Sequence, residues 1–270
     1  MLFVCPKCAA QLSAGEGRAV CPLGHSYDRA RGGYYNLLLG SSGHTHGDNK
    51  EMVLARRAFL GAGHYLPLAE RIAALVLENS DTGDKILDVG LGEGYYTDII
   101  ERAIFMRDGE SSVSGFDISK DAVRVAGGKN KRLSLAVASA YRMPVPDGEV
   151  DLAVNMFSPL ALAETRRVLR YDGVFIMAIP DRLHLFGLKS AIYDSPYENE
   201  VQDTALDGFE LIHDESLSYT LNLTEKEDIR SLFMMTPYAY RTGARERERL
   251  FSLDALTTEV AFRIFAYKKL

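Results

Sequence analysis

Five short apolar runs, Lys85–Val89, Val113–Asp117, Leu133–Ala138, Asp151–Asn155 and Val174–Ile179, are separated by stretches long enough to hold a helix. Strands spaced in this way are joined by crossovers rather than hairpins, so neighbours run parallel and helices cover both faces of the sheet. Helical periodicity runs from Glu51 through Leu60, over Leu66–Glu78 and near Glu225–Met235, and strand-like patterns recur at Ser216–Leu223 and Val260–Tyr267. The expectation for residues 51–270 is an α/β domain with a doubly wound, mostly parallel, seven-stranded sheet. Residues 40–50 are small and polar, and they read as a linker; His44 and His46 within it read as solvated rather than as metal ligands.

In an open parallel sheet, ligands bind at the carboxyl ends of the strands. The first such end reads Asp88-Val-Gly90-Leu-Gly92-Glu93-Gly94-Tyr-Tyr96. Its glycines let the backbone turn tightly and let a ligand approach closely. Nicotinamide dinucleotide folds use a similar loop, but an acidic one would repel pyrophosphate. Asp88 and Glu93 suit instead the cationic sulfonium and amino groups of S-adenosylmethionine. Asp117 ends the next strand, twenty-three residues beyond Gly94, where a carboxylate can accept both ribose hydroxyls. Ser139 after the third strand would flank the adenine. Asn155 and Phe157 after the fourth would lie beside the transferable methyl. The domain is therefore expected to be a class I S-adenosylmethionine-dependent methyltransferase.

The three cysteines, Cys5, Cys8 and Cys21, all fall in the first 21 residues. An odd count without a secretory leader argues against a disulfide framework. With His25 they form two knuckles, Cys5-Pro-Lys-Cys8 and Cys21-Pro-Leu-Gly-His25, the spacing of a closed Cys3His zinc site. Residues 1–39 are too few to bury a stable core alone, so metal ligation is expected to supply much of their folding free energy. All four positions belong to the protein, which makes the zinc structural.

Together these stretches resemble the bacterial 23S ribosomal RNA guanine-N1 methyltransferase family, in which a zinc ribbon precedes a class I methyltransferase domain. The resemblance also rests on Gly33-Tyr34-Tyr-Asn36-Leu-Leu38, Asp48-Asn49-Lys50-Glu-Met52, Ala55-Arg56-Arg57-Ala-Phe59-Leu60, Gly63-His64-Tyr65-Leu-Pro67-Leu68 and Met235-Thr236-Pro237-Tyr238. It implies methyl transfer to N1 of a guanine in a hairpin of domain II near the exit tunnel, with a bearing on macrolide susceptibility in some members. It implies that Tyr65, Gly92-Glu93 and His184 contact the cofactor. Two positions depart from the family pattern: Leu91 replaces a small residue or Cys, and Phe157-Ser-Pro159-Leu replaces an aromatic-Ala-Pro-Cys sequence.

Guanine N1 lies on the pairing edge, so the target must be single-stranded or flipped out. The expected partner is therefore 23S ribosomal RNA, with no membrane; oligomeric state is left open, a homodimer included. A net charge of −6 confines any RNA contact to a local patch. Lys7, Arg18, Arg29, Arg31, Lys50, Arg56 and Arg57 supply one. Apolar stretches stay below the roughly 20 residues of a membrane span, and Met1–Cys5 has no basic leader, so a cytoplasmic protein is expected. Two other readings stay open. One is a methyltransferase acting on another RNA, a protein or a small molecule. The other is a non-catalytic RNA-binding or ribosome-assembly protein.

Overall fold

A computed structural model describes residues 1–39, 47–200 and 204–270. Three short strands, β1 (Ser13–Ala14), β2 (Arg18–Val20) and β3 (Ser26–Asp28), form a small antiparallel sheet beside the cysteine knuckles. Then come β4 (Tyr34–Asn36), α1 (Lys50–Gly61), α2 (Leu66–Glu78), β5 (Lys85–Val89), α3 (Tyr95–Arg107), β6 (Ser112–Asp117), α4 (Lys120–Lys129) and β7 (Ser134–Val137). The chain continues through β8 (Val150–Met156), α5 (Leu162–Val168), β9 (Leu169–Pro180), α6 (Phe186–Ile192) and β10 (Phe209–Leu223). It closes with α7 (Lys226–Met234), α8 (Tyr238–Arg241), α9 (Ala244–Phe251) and β11 (Leu256–Lys269).

The large sheet has the order β10-β11-β9-β8-β5-β6-β7-β4. Its pairs from β4 to β9 are parallel, and β11 and β10 run antiparallel to their neighbours. The seven strands expected from the sequence are all present. An eighth, β4, comes from the cysteine-bearing segment and pairs with β7 in the register Tyr34↔Leu135 to Asn36↔Val137. The zinc-bearing module is thus sewn into the main sheet at its edge.

Alternation along the strands divides the core. Ile86 of β5 packs on one face with Leu68, Ile72 and Ile100 of the helices. Leu87 and Val89 face the other way, in a core that also holds Phe116, Met143, Val145 and, from the N-terminal module, Phe3 and Leu12. Residues 47–50, read from sequence as the end of a linker, are anchored. Asn49 caps α1 by accepting the Met52 N–H at 3.0 Å, and the Asp48 carbonyl accepts the Ser119 hydroxyl at 2.7 Å. Residues 40–46, with His44 and His46, lie outside the described residues. Among the described residues no helix is long and apolar enough to cross a membrane.

Candidate cofactor cleft and metal centre

Strand order reverses between β5 and β8, so the loops that follow them diverge and leave a crevice at the sheet's carboxyl edge. A cleft of about 730 Å³ occupies it, within the range of small-molecule sites. Gly90, Gly92 and Gly94 all have positive φ. At Gly94 a Cβ would lie 2.8 Å from the Cβ of Ala126, and at Gly90 it would overlap Ser158. These two positions exclude a side chain on space as well as on backbone conformation. Ser158 donates to the Val89 carbonyl at 2.8 Å, which ties the loop after β8 to the loop after β5.

Four carboxylates line the cleft, Asp48, Asp88, Glu93 and Asp117, against one guanidinium, Arg56, among the described residues. Asp117 accepts the Gly92 N–H at 3.0 Å and the Ser119 N–H at 2.7 Å, one on each oxygen. A lone pair on each oxygen remains for a ligand hydroxyl. Asp88 accepts the Thr97 hydroxyl at 2.6 Å on one oxygen, while its other oxygen has no partner. Burial, with the nearby charges of Asp117 and Glu93, raises the Asp88 carboxyl to about 7 against the Thr97 hydrogen bond. One oxygen of Glu93 is likewise buried and unpartnered. Its carboxyl is raised by burial and drawn back by Arg56.

His184 and Tyr65 meet at the opposite wall, with Nε2 and the tyrosine hydroxyl 3.4 Å apart. The Ala261 N–H is donated to Nδ1 at 3.3 Å, which places the neutral ring's proton on Nε2, toward Tyr65. Burial, then the Lys189 ammonium, holds His184 down to about 3, so the ring is neutral at pH 7. The Tyr65 hydroxyl hydrogen stays available to an acceptor in the cleft. Phe157 stands at the mouth, 40% exposed, with φ +59 and its ring 5.4 Å from that of Phe262. A phenylalanine in the left-handed region is strained, and here the turn after β8 presents the ring instead of burying it.

Of the cofactor candidates, Tyr65, Asp88, Gly90, Gly92, Glu93, Asp117, Ser139 and His184 line this cleft, and Gly94 lies just behind it as the N-cap of α3. Asn155 lies beneath the wall, where it accepts the Ser158 N–H at 3.2 Å and donates to the Pro159 carbonyl at 3.4 Å. It shapes the turn that carries Phe157. Sequence reasoning missed the roof, which is built by Asp48, Met52 and Arg56 from α1 and its approach and by Met235–Tyr238 from the other end of the chain. Arg56, counted from sequence among RNA-facing cations, pairs with Asp48 and donates to the Met235 carbonyl at 3.3 Å, above Glu93. The signal was present in the family-like stretches Asp48–Met52 and Met235–Tyr238, but nothing local gave those residues a role.

At the N-terminus the Cys5, Cys8, Cys21 and His25 ligand atoms all lie within 4.8 Å of one another. Cys5 Sγ and Cys21 Sγ are each 3.4 Å from His25 Nδ1, and Cys8 Sγ is 3.7 Å from Cys21 Sγ. Tetrahedral zinc with thiolate and imidazole ligands has edges of roughly 3.5–3.8 Å, so the four atoms fit that ion and are too far apart for a disulfide. Burial opposes ionisation of Cys5, but the Tyr27 hydroxyl at 3.2 Å and two backbone N–H groups bring the thiol down to about 6. The cleft fits S-adenosylmethionine on the same kind of ground: two buried carboxylate oxygens without partners await a cation.

The chain is 34% identical to a putative 23S rRNA (guanine-N(1)-)-methyltransferase of Micromonospora griseorubida over 98% of its own length and 96% of that protein's. It belongs to the 23S rRNA (guanine-N1)-methyltransferase family. A second member, the 23S rRNA (guanine(748)-N(1))-methyltransferase of Streptomyces fradiae, is 32% identical over 96% of the chain and 95% of that protein. A third, from Bacillus subtilis, is 32% identical over 88% and 87%. Residues 3–39 match the model described as RlmA, N-terminal, and residues 86–173 the model of a methyltransferase domain. The two models thus cover the zinc ribbon and the central part of the S-adenosylmethionine-dependent methyltransferase domain of this guanine-N1 methyltransferase family member.

Proposed function

We propose that the protein transfers the methyl group of S-adenosylmethionine to N1 of a guanine in 23S ribosomal RNA, in a domain II hairpin, in the cytoplasm. The observation that carries this reading is the acid-lined cleft at the switch point with Phe157 held at its mouth, in a chain that matches its named relatives over nearly the whole length of both.

When bound, S-adenosylmethionine supplies a methyl group already activated by a sulfonium. Asp117 would hold the ribose hydroxyls, Ser139 would flank the adenine, and Asp88 and Glu93 would face the cationic end. Tyr65, oriented by His184, would donate to the methionine carboxylate. Phe157 stacks on or lies beside the extruded guanine, whose N1 must be unpaired to react. His184 cannot accept the N1 proton, because one ring nitrogen carries a hydrogen and the other accepts from Ala261. The N1 proton would then pass to solvent at the open mouth, and the side chains of the cleft would contribute by holding base and cofactor in place rather than as a proton acceptor.

The experiment is incubation with labelled S-adenosylmethionine and unmodified 23S RNA, followed by mapping of the modified nucleotide. Label on N1 of one guanine is the expected result; label elsewhere, or none, overturns the reading. Phe157→Ala should lower methylation about 10- to 100-fold, on the scale of removing a base–aromatic stack, with cofactor affinity unchanged by calorimetry. Unchanged methylation would remove Phe157 from the substrate side.

A further inference from the structure

Between the cofactor cleft and the zinc centre lies one short turn, Ser139–Arg142. It is closed by the Arg142 N–H donated to the Ser139 carbonyl at 3.1 Å, and the Tyr141 N–H bonds the Ser139 hydroxyl at 3.2 Å. Tyr141 occupies its third position. The residue lines the cleft, yet it is 68% exposed. Isolated exposed aromatics are ordinary on protein surfaces. This one differs in its mount and its place.

The far side of the turn is fastened to the metal module. The Arg142 guanidinium donates to the carbonyl of Pro6, inside the first cysteine knuckle, at 3.3 Å. The Val4 N–H donates to the Pro144 carbonyl at 2.8 Å. Met143 and Val145 share a core with Phe3 and Leu12. Lys7 and Arg142 are exposed on this bridge. A strand of RNA running from the metal module into the cleft crosses two cations and then an open phenol ring carried on a hydrogen-bonded turn. Cations that track phosphates beside an aromatic face on which a base stacks are what single-stranded nucleic acid needs.

We propose that Tyr141 is the stacking platform for a nucleotide flanking the methylated guanine, with Lys7 and Arg142 engaging the adjoining phosphates. This rests on the function proposed above. The ring is carried by the turn after β7, whereas Phe157 is carried by the turn after β8. One holds the neighbour while the other meets the target.

The chain contains no tryptophan, so Tyr141→Trp installs a single tryptophan at the site, which can be excited at wavelengths where the tyrosines do not absorb. Unmodified 23S RNA should quench its emission, and S-adenosylmethionine alone should leave it unchanged. Quenching by the cofactor with no further change on RNA would make the residue a cover for the adenine and overturn the proposal, as would no response to either. In turnover, Tyr141→Ala should raise KM for RNA about 5- to 100-fold, in line with base–aromatic stacking, with cofactor affinity unaltered; Tyr141→Phe should restore most of the loss. If the unsubstituted protein methylates 23S RNA and Tyr141→Ala does so with the same KM, the platform alone falls. If the unsubstituted protein transfers no methyl to 23S RNA, the functional reading falls and the platform with it.

Discussion

Asp88 is a carboxylate whose charge depends on its ligand. In the free protein burial lifts it to about 7, with one oxygen lacking any partner. A cation beside it would favour the ionised form, so S-adenosylmethionine bound as proposed should draw a proton off the protein near neutrality. Above pH 7 Asp88 is already ionised and affinity is flat; below it, the proton must first be displaced, and affinity falls by up to roughly tenfold per pH unit. Titration calorimetry in buffers of different ionisation enthalpy should detect the released proton, and Asp88→Asn should bind more weakly with the pH dependence gone. A pH slope that persists in Asp88→Asn would assign it to another group. The place of Asp88 and Asp117 in the cleft was legible from sequence because each lies at the carboxyl end of its strand, Asp88 next to last and Asp117 last. The tautomer of His184 was not, since it is set by Ala261, on a strand seventy-seven positions away.

At the scale of elements, the parallel strands could be read because each is a short apolar run bounded by helix-length segments. β4 could not, because three residues carry no periodicity and its partner β7 is remote in sequence. The cleft divides in the same way. Its floor comes from consecutive strand ends, whereas its roof joins α1 to the corner between α7 and α8 through Arg56 and the Met235 carbonyl. That roof is the more vulnerable part. Arg56→Met removes the ion-pair partner of Asp48 and the larger of the positive charges acting on Glu93, and should cost about 1–3 kcal/mol, read as a lower midpoint in urea, with weaker cofactor binding. Wild-type stability in this variant would mean that Glu93 is protonated in the free protein. Gly94→Ala should fail differently. Its Cβ meets Ala126 and its φ is +77, so α3 must shift, and loss of cofactor affinity should exceed any loss of secondary structure by circular dichroism.

For the molecule as a whole, the metal module and the catalytic sheet are one body. They share a strand pair, a core and the bridge at Pro6 and Val4. Deleting residues 1–39 would therefore bare the edge of β7 and the apolar surface under Phe3 and Leu12, and unpaired edges invite aggregation. Point substitution is the cleaner probe. Cys21→Ser should eliminate the single zinc measured by mass spectrometry and lower the thermal midpoint by several degrees, with RNA methylation failing before cofactor binding. Retention of zinc would remove Cys21 from the ligand set. The RNA interaction is testable by salt: Lys7→Ala should flatten the dependence of log affinity on log salt by about 0.7–0.9, the share of a single phosphate.

The pairing of β4 with β7 also has a temporal side. Chains fold from the N-terminus as they are made, and Tyr34–Asn36 leaves the ribosome before α1 to α4 and long before its partner strand exists. The cysteine knuckles thus have an interval in which to capture metal while the segment beside them still has nothing to pair with. If β4 docks only once the knuckles hold their ion, scarcity of zinc should be felt first in newly made chains, and a pulse of fresh synthesis under zinc limitation should be digested by protease faster than the standing pool.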